Sequence, residues 1–411
     1  MIEKTLVSLE EAIAIVLDNC PSLACERVPI GAALHRGLAE NVTARREHPP
    51  WNNSAMDGYA VRSEDVADAS TSQPVVLNVV GEIQAGATAT QVVNRGEAIR
   101  IMTGAPTPAE ADTVVCVEDC DRTGDRVQVK YAAKRGDHIR LKGEDITTGQ
   151  QLLTAGTTLR PAALGVLATA GYSSVLVRRQ ASVSVLATGD ELVEPGEALG
   201  PEQIINSNSY SVSALVRDSG ARCLTLPSAR DNPDDLKTKI AQALQADVAL
   251  VIGGVSMGKY DYVKEVLEGL GCRFKFWRVA VRPGHPVAFG IVGSGRDTRL
   301  LFGLPGNPVS CVVGFYQFVR PLLRKMMGHE TLFLPEVEAT LAADFRKKAG
   351  RTHLARATTT FRDGRYHVQL APQQGSGVLT SFIGANSLAV LPAPQTTFSA
   401  GEVIKVQLLP E

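Results

Sequence analysis

The run "ADVALVIGG" at 246–254 carries no polar side chain between Val248 and Ile252. A strand with one wet face alternates polar and apolar residues; this one does not, so both of its faces must be covered. Such a strand belongs in the middle of a sheet clad by helices. The neighbouring sequence supplies the cladding, "NPDDLKTKIAQALQ" before it and "DYVKEVLEGLG" after it, both apolar at helical spacing. "ASVSVLATGDEL" and "ARCLTLPSA" upstream, then "FKFWRVAV", "PVAFGIV" and "TRLLFGLPGNP" downstream, read as further strands, with a helix over 209–218 and a long one after 308. Strands alternating with helices predict a doubly wound parallel sheet over 179–328.

A chain of 411 residues is too long for one such core. From Ser8 to about Leu38 the pattern is helical, opened by a capping box of Ser8 and Glu11. "HPPWNNSAMDGYA" (48–60) breaks it, and short β-like runs alternate with Gly and Asp turns as far as Asp145. A strand, a helix starting near Pro161 and another strand follow. The expectation is an inserted mostly-β domain (46–145) within a discontinuous linker domain (1–45 and 146–178). Residues 329–411, short strands broken by Gly, Pro and Asn, suggest a C-terminal β-barrel-like domain. The fold class is therefore α/β plus β, multidomain, about a central doubly wound α/β domain.

The charge balance, with 21% charged residues and a formal net charge of -1, gives no reason to expect nucleic acid or a membrane as partner. No apolar run approaches the ~20 residues of a membrane span. Seven cysteines without a leader-like start favour a reduced, cytoplasmic protein, and the lone C-x₃-C of Cys116 and Cys120 lacks the partners a zinc site needs.

In an open α/β sheet, ligands sit outside the carboxyl ends of the strands. Three loops fall there: "ATGDEL" with Glu191, "GGVSMGKYD" and "GLPGNPVS". The second nearly matches G-x-x-x-x-G-K-[ST], but Tyr260 stands where a metal-binding hydroxyl is required. A P-loop, an ordinary glycine turn, and an anion cradle of Gly253, Gly254, Ser256 and Gly258 beside a cation-binding Asp261 all remain open. In "GLPGNPVS", Pro305 and Pro308 stiffen the turn, Gly306 admits a ligand, and Asn307 is placed to cap the next helix. Arg278 and Arg282 lie four apart in a β-like run, which puts both on one face roughly 13 Å apart. Asp57, Thr103, Arg140 and Asp145 fall in polar turns of the inserted module.

Seven blocks in this order, "NSAMDGYA", "RIMTGAP", "KGED", "ATGDEL", "GGVSMGKYD", "RPGHPVAFG" and "GLPGNPVS", resemble the molybdopterin molybdenumtransferase family, which includes the C-terminal enzymatic domain of gephyrin. The resemblance spans essentially the whole chain. It implies insertion of molybdate into adenylated molybdopterin with release of AMP, using Mg²⁺ or a similar divalent ion. It also implies an elongated homodimer whose cleft lies between the α/β domain of one subunit and the inserted domain of the other, and dealings with other proteins of molybdenum cofactor biosynthesis. By position, Asp57, Thr103, Arg140 and Asp145 match active-site residues of the inserted domain. Glu191 and Asp261 match acidic residues near metal and phosphates, and Asp231 a further acidic site. Arg278 and Arg282 match basic positions, Pro305 and Pro308 the turn near the pterin, and Ser376 a serine facing the cleft. The sequence departs from the family pattern at Arg278 and His285, where lysines are expected. A His there makes local charge depend on pH near neutrality.

Overall fold

The computed structural model describes residues 2–254 and 262–410, with Arg296 by its backbone alone. Its central layer runs β1 (Ile2–Lys4), α1 (Leu9–Asp18), β2 (Ser182–Ala187), α2 (Ser207–Asp218), β3 (Arg222–Thr225), α3 (Pro233–Ala243), β4 (Val248–Ile252), α4 (Tyr262–Gly269), β5 (Arg273–Phe276), β6 (Ala288–Val292), β7 (Arg299–Leu304) and α5 (Pro308–Gly314). These strands form a seven-stranded sheet in the order β1-β5-β6-β7-β4-β2-β3. The strands β3, β2, β4 and β7 are parallel, in register from Val183 opposite Val248 and Val248 opposite Leu300. Beyond β7 the chain doubles back: β6 is antiparallel to both β7 and β5. The sheet is therefore mixed, parallel through the half that carries the ligand-facing loops.

Strand β4 bears out the reading of its sequence. Val248, Leu250 and Ile252 pack in one core with α1, α2 and α5, while Ala249 and Val251 pack in the other with Leu236, Ile240 and Leu267 of α3 and α4. Ser8 caps α1, its hydroxyl accepting from the backbone N–H of Glu11 at 3.0 Å. The helix stops at Asp18, however, and does not run on to Leu38. Pro21 and Pro29 punctuate the chain, and Cys25–Pro29 is instead a strand antiparallel to Ser174–Arg178. β1 and α1 thus side with the α/β layer. The segments after Cys25 and around Gln151–Leu153 pack on the helix Pro161–Thr169 through Leu38, Val42, Leu159, Leu167 and Val175.

Between these segments stands a six-stranded sheet that includes Gly58–Val61, Val75–Ile83 and Glu97–Ile101, with an apolar cluster on each side. At the other end, Thr352–Arg362, Arg365–Leu370, Glu336–Leu341, Val403–Leu408 and Ser387–Leu391 close into a five-strand barrel, since the last pairs back with the first. Val281–Arg282 runs alongside Thr352 and His353, tying barrel to sheet. The long helix expected after β7 is helical from Pro308 to Met326 but relaxes into a π turn over Phe315–Val319. Pro321 lacks an N–H for the carbonyl one turn back, and the wider turn absorbs the missing bond. Among the described residues no helix is long and apolar enough to cross a membrane, and all seven cysteines are unpaired.

Candidate functional site

Strand order reverses between β2 and β4: the chain leaves β2 for β3 on one side and returns to β4 on the other. Loops leaving the carboxyl ends of two such strands diverge and open a crevice. A cleft of about 610 Å³ lies there, walled by the loops after β2, β4 and β7 and by the start of α2. It gathers Glu191, Asp231, Gly253, Gly254, Pro305, Gly306, Asn307 and Pro308, eight residues singled out from the sequence. Gly253 and Gly254 have φ of 94° and 62°, in the left-handed region. A Cβ on Gly253 would stand 2.8 Å from the Thr188 carbonyl oxygen, and one on Gly254 would overlap Val263. Only glycines let this loop lie so close against β2 and α4. Ser256, Gly258 and Asp261, from the same reading, lie outside the described residues.

Among the described residues no Lys or Arg pairs with the acidic side of the cleft. The backbone N–H of Asp231 donates to Asp190 Oδ1 at 3.2 Å. Burial, followed by the charges of Asp190 and Glu191, pushes the Asp231 carboxyl above the usual carboxylate range. Such a concentration of oxygen donors suits a hard cation. Among the described residues no three His, Cys, Asp or Glu side chains converge as a ready-made metal cage. An ion here would draw further ligands from water or substrate, as Mg²⁺ commonly does.

The "GLPGNPVS" turn is built differently from the sequence expectation. Pro308 opens α5, and Asn307 holds the cap position by its backbone alone, with no capping bond from its side chain. The backbone N–H of Val309 is taken instead by the Ser376 carbonyl at 3.1 Å, so that donor does not need the Asn307 side chain. Ser376 thereby docks on the start of α5 through its main chain without lining the cavity. Its loop hangs on Arg356, a fully buried guanidinium that donates to the carbonyls of Gln373 and Gly375, both at 3.0 Å.

Arg278 and Arg282 do not share a strand face. After Phe276 the chain turns sharply, the Val281 N–H donating to the Val279 carbonyl at 2.8 Å, and a tight turn destroys the period-two alternation. Arg278 is half-buried. Arg282 opens onto a separate cavity of about 310 Å³ with Lys347, Lys348, Arg351 and His353. His285 is tied to the backbone of the same turn. Its Nδ1–H donates to the Val279 carbonyl at 2.7 Å, and burial with Arg351 and Arg278 nearby moves its pKa below the usual histidine value.

In the inserted module, the backbone N–H and the hydroxyl of Thr103 both donate to Asp57 Oδ1 at 2.7 Å. The backbone bond, then the hydroxyl, hold the Asp57 carboxyl below its ordinary value. Arg140 pairs opposite Asn53, and the Asp145 N–H donates to the His48 carbonyl. All four residues are exposed, and none of them lines the cleft of its own chain. The sequence reading passed over Thr188, Asn206 and Asn208, which do line it. The signal was present in "INSNSY": Asn and Ser crowd the first turn of α2, where Asn206 caps the Ser209 N–H.

Comparison with known proteins agrees along the whole chain. Residues 7–171 match the model of the MoeA N-terminal region (domain I and II), 184–325 that of a probable molybdopterin binding domain, and 338–409 that of the MoeA C-terminal region (domain IV). The molybdopterin molybdenumtransferase of a Nostoc species is 37% identical over 98% of this chain and 94% of its own length. That of Bacillus subtilis is 36% identical over 100% and 96%. Two crystal structures of MoeA molybdopterin biosynthesis proteins from Pyrococcus horikoshii superpose with TM-scores of 0.78 and 0.80, at 32% and 28% identity, covering at least 98% of this chain and all of theirs. The chain belongs to the molybdopterin molybdenumtransferase family.

Proposed function

We propose that this transferase inserts molybdate into adenylated molybdopterin and releases AMP, with Mg²⁺ or a similar divalent ion as its cofactor. The observation that carries the reading is the convergence, at the switch point of the sheet, of a glycine cradle and a group of neighbouring carboxylates in one cleft. Glu191, with Asp261 of the adjoining loop, would hold the cation, and Asp231 adds negative charge beside it. When bound, the ion neutralises charge developing on the phosphoanhydride oxygens. The chain's own groups do the rest. The Gly253 N–H is spent on the Leu304 carbonyl at 3.0 Å, which leaves the backbone from Gly254 onward to hold phosphate, with no side chain at Gly254 to cover it. The apolar wall of Leu192, Ile205, Leu236 and Ile252 takes a flat ring and excludes water. Arg282 and its neighbours in the smaller cavity attract the oxyanion.

Asp57 is exposed in the module, with both Thr103 donors fixing its carboxylate, and it is not among the described residues that line the cleft. We assign it, with Arg140 and Asp145, to the cleft of a partner subunit in a homodimer, where it would orient water or molybdate. Recipient proteins of molybdenum cofactor biosynthesis and a cytoplasmic location belong to the same reading. The test follows AMP release from adenylated molybdopterin with molybdate, tungstate or sulfate. Release with molybdate in the wild type, reduced at least tenfold in Glu191→Gln, is expected. Release indifferent to the oxyanion would sink the assignment.

A further inference from the structure

We infer that Asn208 is a specificity-determining residue of the cleft, its side-chain oxygen accepting a hydrogen bond from an amino N–H on the ligand's planar ring. The inference rests on reading the cleft as the site of a pterin nucleotide. Asn208 is the second residue of α2 and lines the cleft. Its Nδ2 donates to the Gly306 carbonyl at 2.6 Å. That bond fixes which end of the amide is which, because the exchanged orientation would press two acceptor oxygens together. Asn208 Oδ1 is left buried with no hydrogen-bond partner in the protein.

Buried polar atoms rarely stay unpaired in the functioning state of a protein, and a ligand is one of the few things that can complete them. Thr188 supplies an independent indication. It is only 5% exposed, lines the same cleft, and its hydroxyl likewise has no partner. A hydroxyl adapts to either kind of partner, but an amide oxygen only accepts. The ligand must therefore bring a donor to Asn208. The same cleft is lined by Leu192, Ile205, Leu236, Ile252 and Pro305, apolar side chains that a flat heterocycle can cover and that offer a donor no partner. Glu191 and Asp231 also accept, but as carboxylates they suit the cation. An exocyclic amino group is the matching chemistry. Adenylated molybdopterin carries two, one on the pterin and one on the adenine, and the same test separates them.

Calorimetric titration of the full chain with four probes decides the matter. Pterin is compared with lumazine, in which an oxo group replaces the 2-amino group, and AMP with IMP, in which an oxo group replaces the 6-amino group. Wild type is expected to prefer the amino member of one pair by at least about tenfold, since the oxo group would face the orphan oxygen. In Asn208→Ala that preference falls to about one, while the other pair is unchanged. The unchanged affinities for that other pair, read on the same variant, show that the loss in Asn208→Ala is not general damage. A wild type indifferent within both pairs, or a preference that survives in Asn208→Ala, overturns the inference. Molybdate-dependent AMP release by wild type is scored separately. Release with an Asn208-independent preference removes this inference alone, and no release removes the functional reading alone.

Discussion

Thr103 places two donors on a single oxygen of Asp57, its N–H and its hydroxyl each 2.7 Å away. A carboxylate bonded twice at one oxygen is fixed in rotation and kept ionised, while its second oxygen stays open to solvent or to a ligand. The Thr103→Val variant keeps the N–H bond and loses the other. Because the Asp57 pKa is depressed, its ionised form persists as pH falls until the folded-state value is reached. Removing one donor raises that value, so the acid limb of the kcat/KM profile should move to higher pH. A roughly tenfold loss of kcat/KM at neutral pH should accompany it. A pH–rate profile of both proteins checks this, and an unmoved acid limb would count against the role of the hydroxyl.

His329 and His353 are buried, and burial, with Arg324 and Arg282 respectively as the largest nearby charges, lowers their pKa values to about 3 and about 4. Unfolded, each would titrate near 6.5. Between that value and the folded one the unfolded chain binds more protons, so stability falls as pH drops below about 6.5 and is complete above it. Denaturant titrations at pH 7 and pH 5 should differ by about 2 kcal/mol for each of them. His329→Gln should shrink the difference, and equal midpoints at the two pH values would refute the burial account.

Gly254 and Gly165 make opposite cases. Gly254 has φ of 62°, and a side chain there would meet Val263, so Gly254→Ala should cost about 1–3 kcal/mol and disable the cleft. Gly165 lies exposed inside the helix Pro161–Thr169 with nothing near the position of its missing Cβ. Gly165→Ala should stabilise by about 0.5–1 kcal/mol and leave activity intact. Chemical denaturation of the two variants tests both signs.

Much of this was legible in the sequence because it follows from local rules. A wholly apolar strand such as Val248–Ile252 has one structural solution, and loops at strand ends inherit their position from it. Glu191 and the Pro305–Pro308 turn could therefore be assigned to one cleft, whereas Asp231 entered only through the resemblance to the family. What depended on tertiary contacts was not legible. Nothing in "CERVP" announces a partner strand at 174–178, and helical spacing carried the reading past Pro21. The Arg278–Arg282 face assumed an unbroken strand, but a turn at Val279–Val281 interrupts it. Asn307 looked like a cap because no sequence rule foretells that the Ser376 carbonyl, more than sixty positions on, takes the bond. The Asn and Ser of "INSNSY" marked a polar helix start, but the part Asn208 plays was not legible, since it lies in a bond to Gly306.

If Asp57 of one subunit serves the cleft of the other, two inactive proteins can repair each other. Asp57→Asn and Glu191→Gln, purified separately, dissociated and reassociated together, form mixed dimers with one intact cleft and one doubly damaged. Random pairing leaves about a quarter of the sites whole. Activity of the mixture should reach about that share of wild type, whereas a mixture no better than its components would place Asp57 and Glu191 in the same subunit's site.

The most direct measurement counts products of a single reaction: AMP released and molybdenum cofactor formed when purified protein meets adenylated molybdopterin, with and without molybdate. The expected result is AMP and cofactor in equal amounts, both requiring molybdate and both lost on removing divalent cations. AMP released without molybdate, or no cofactor formed with it, would contradict the assignment of this cleft to molybdenum transfer.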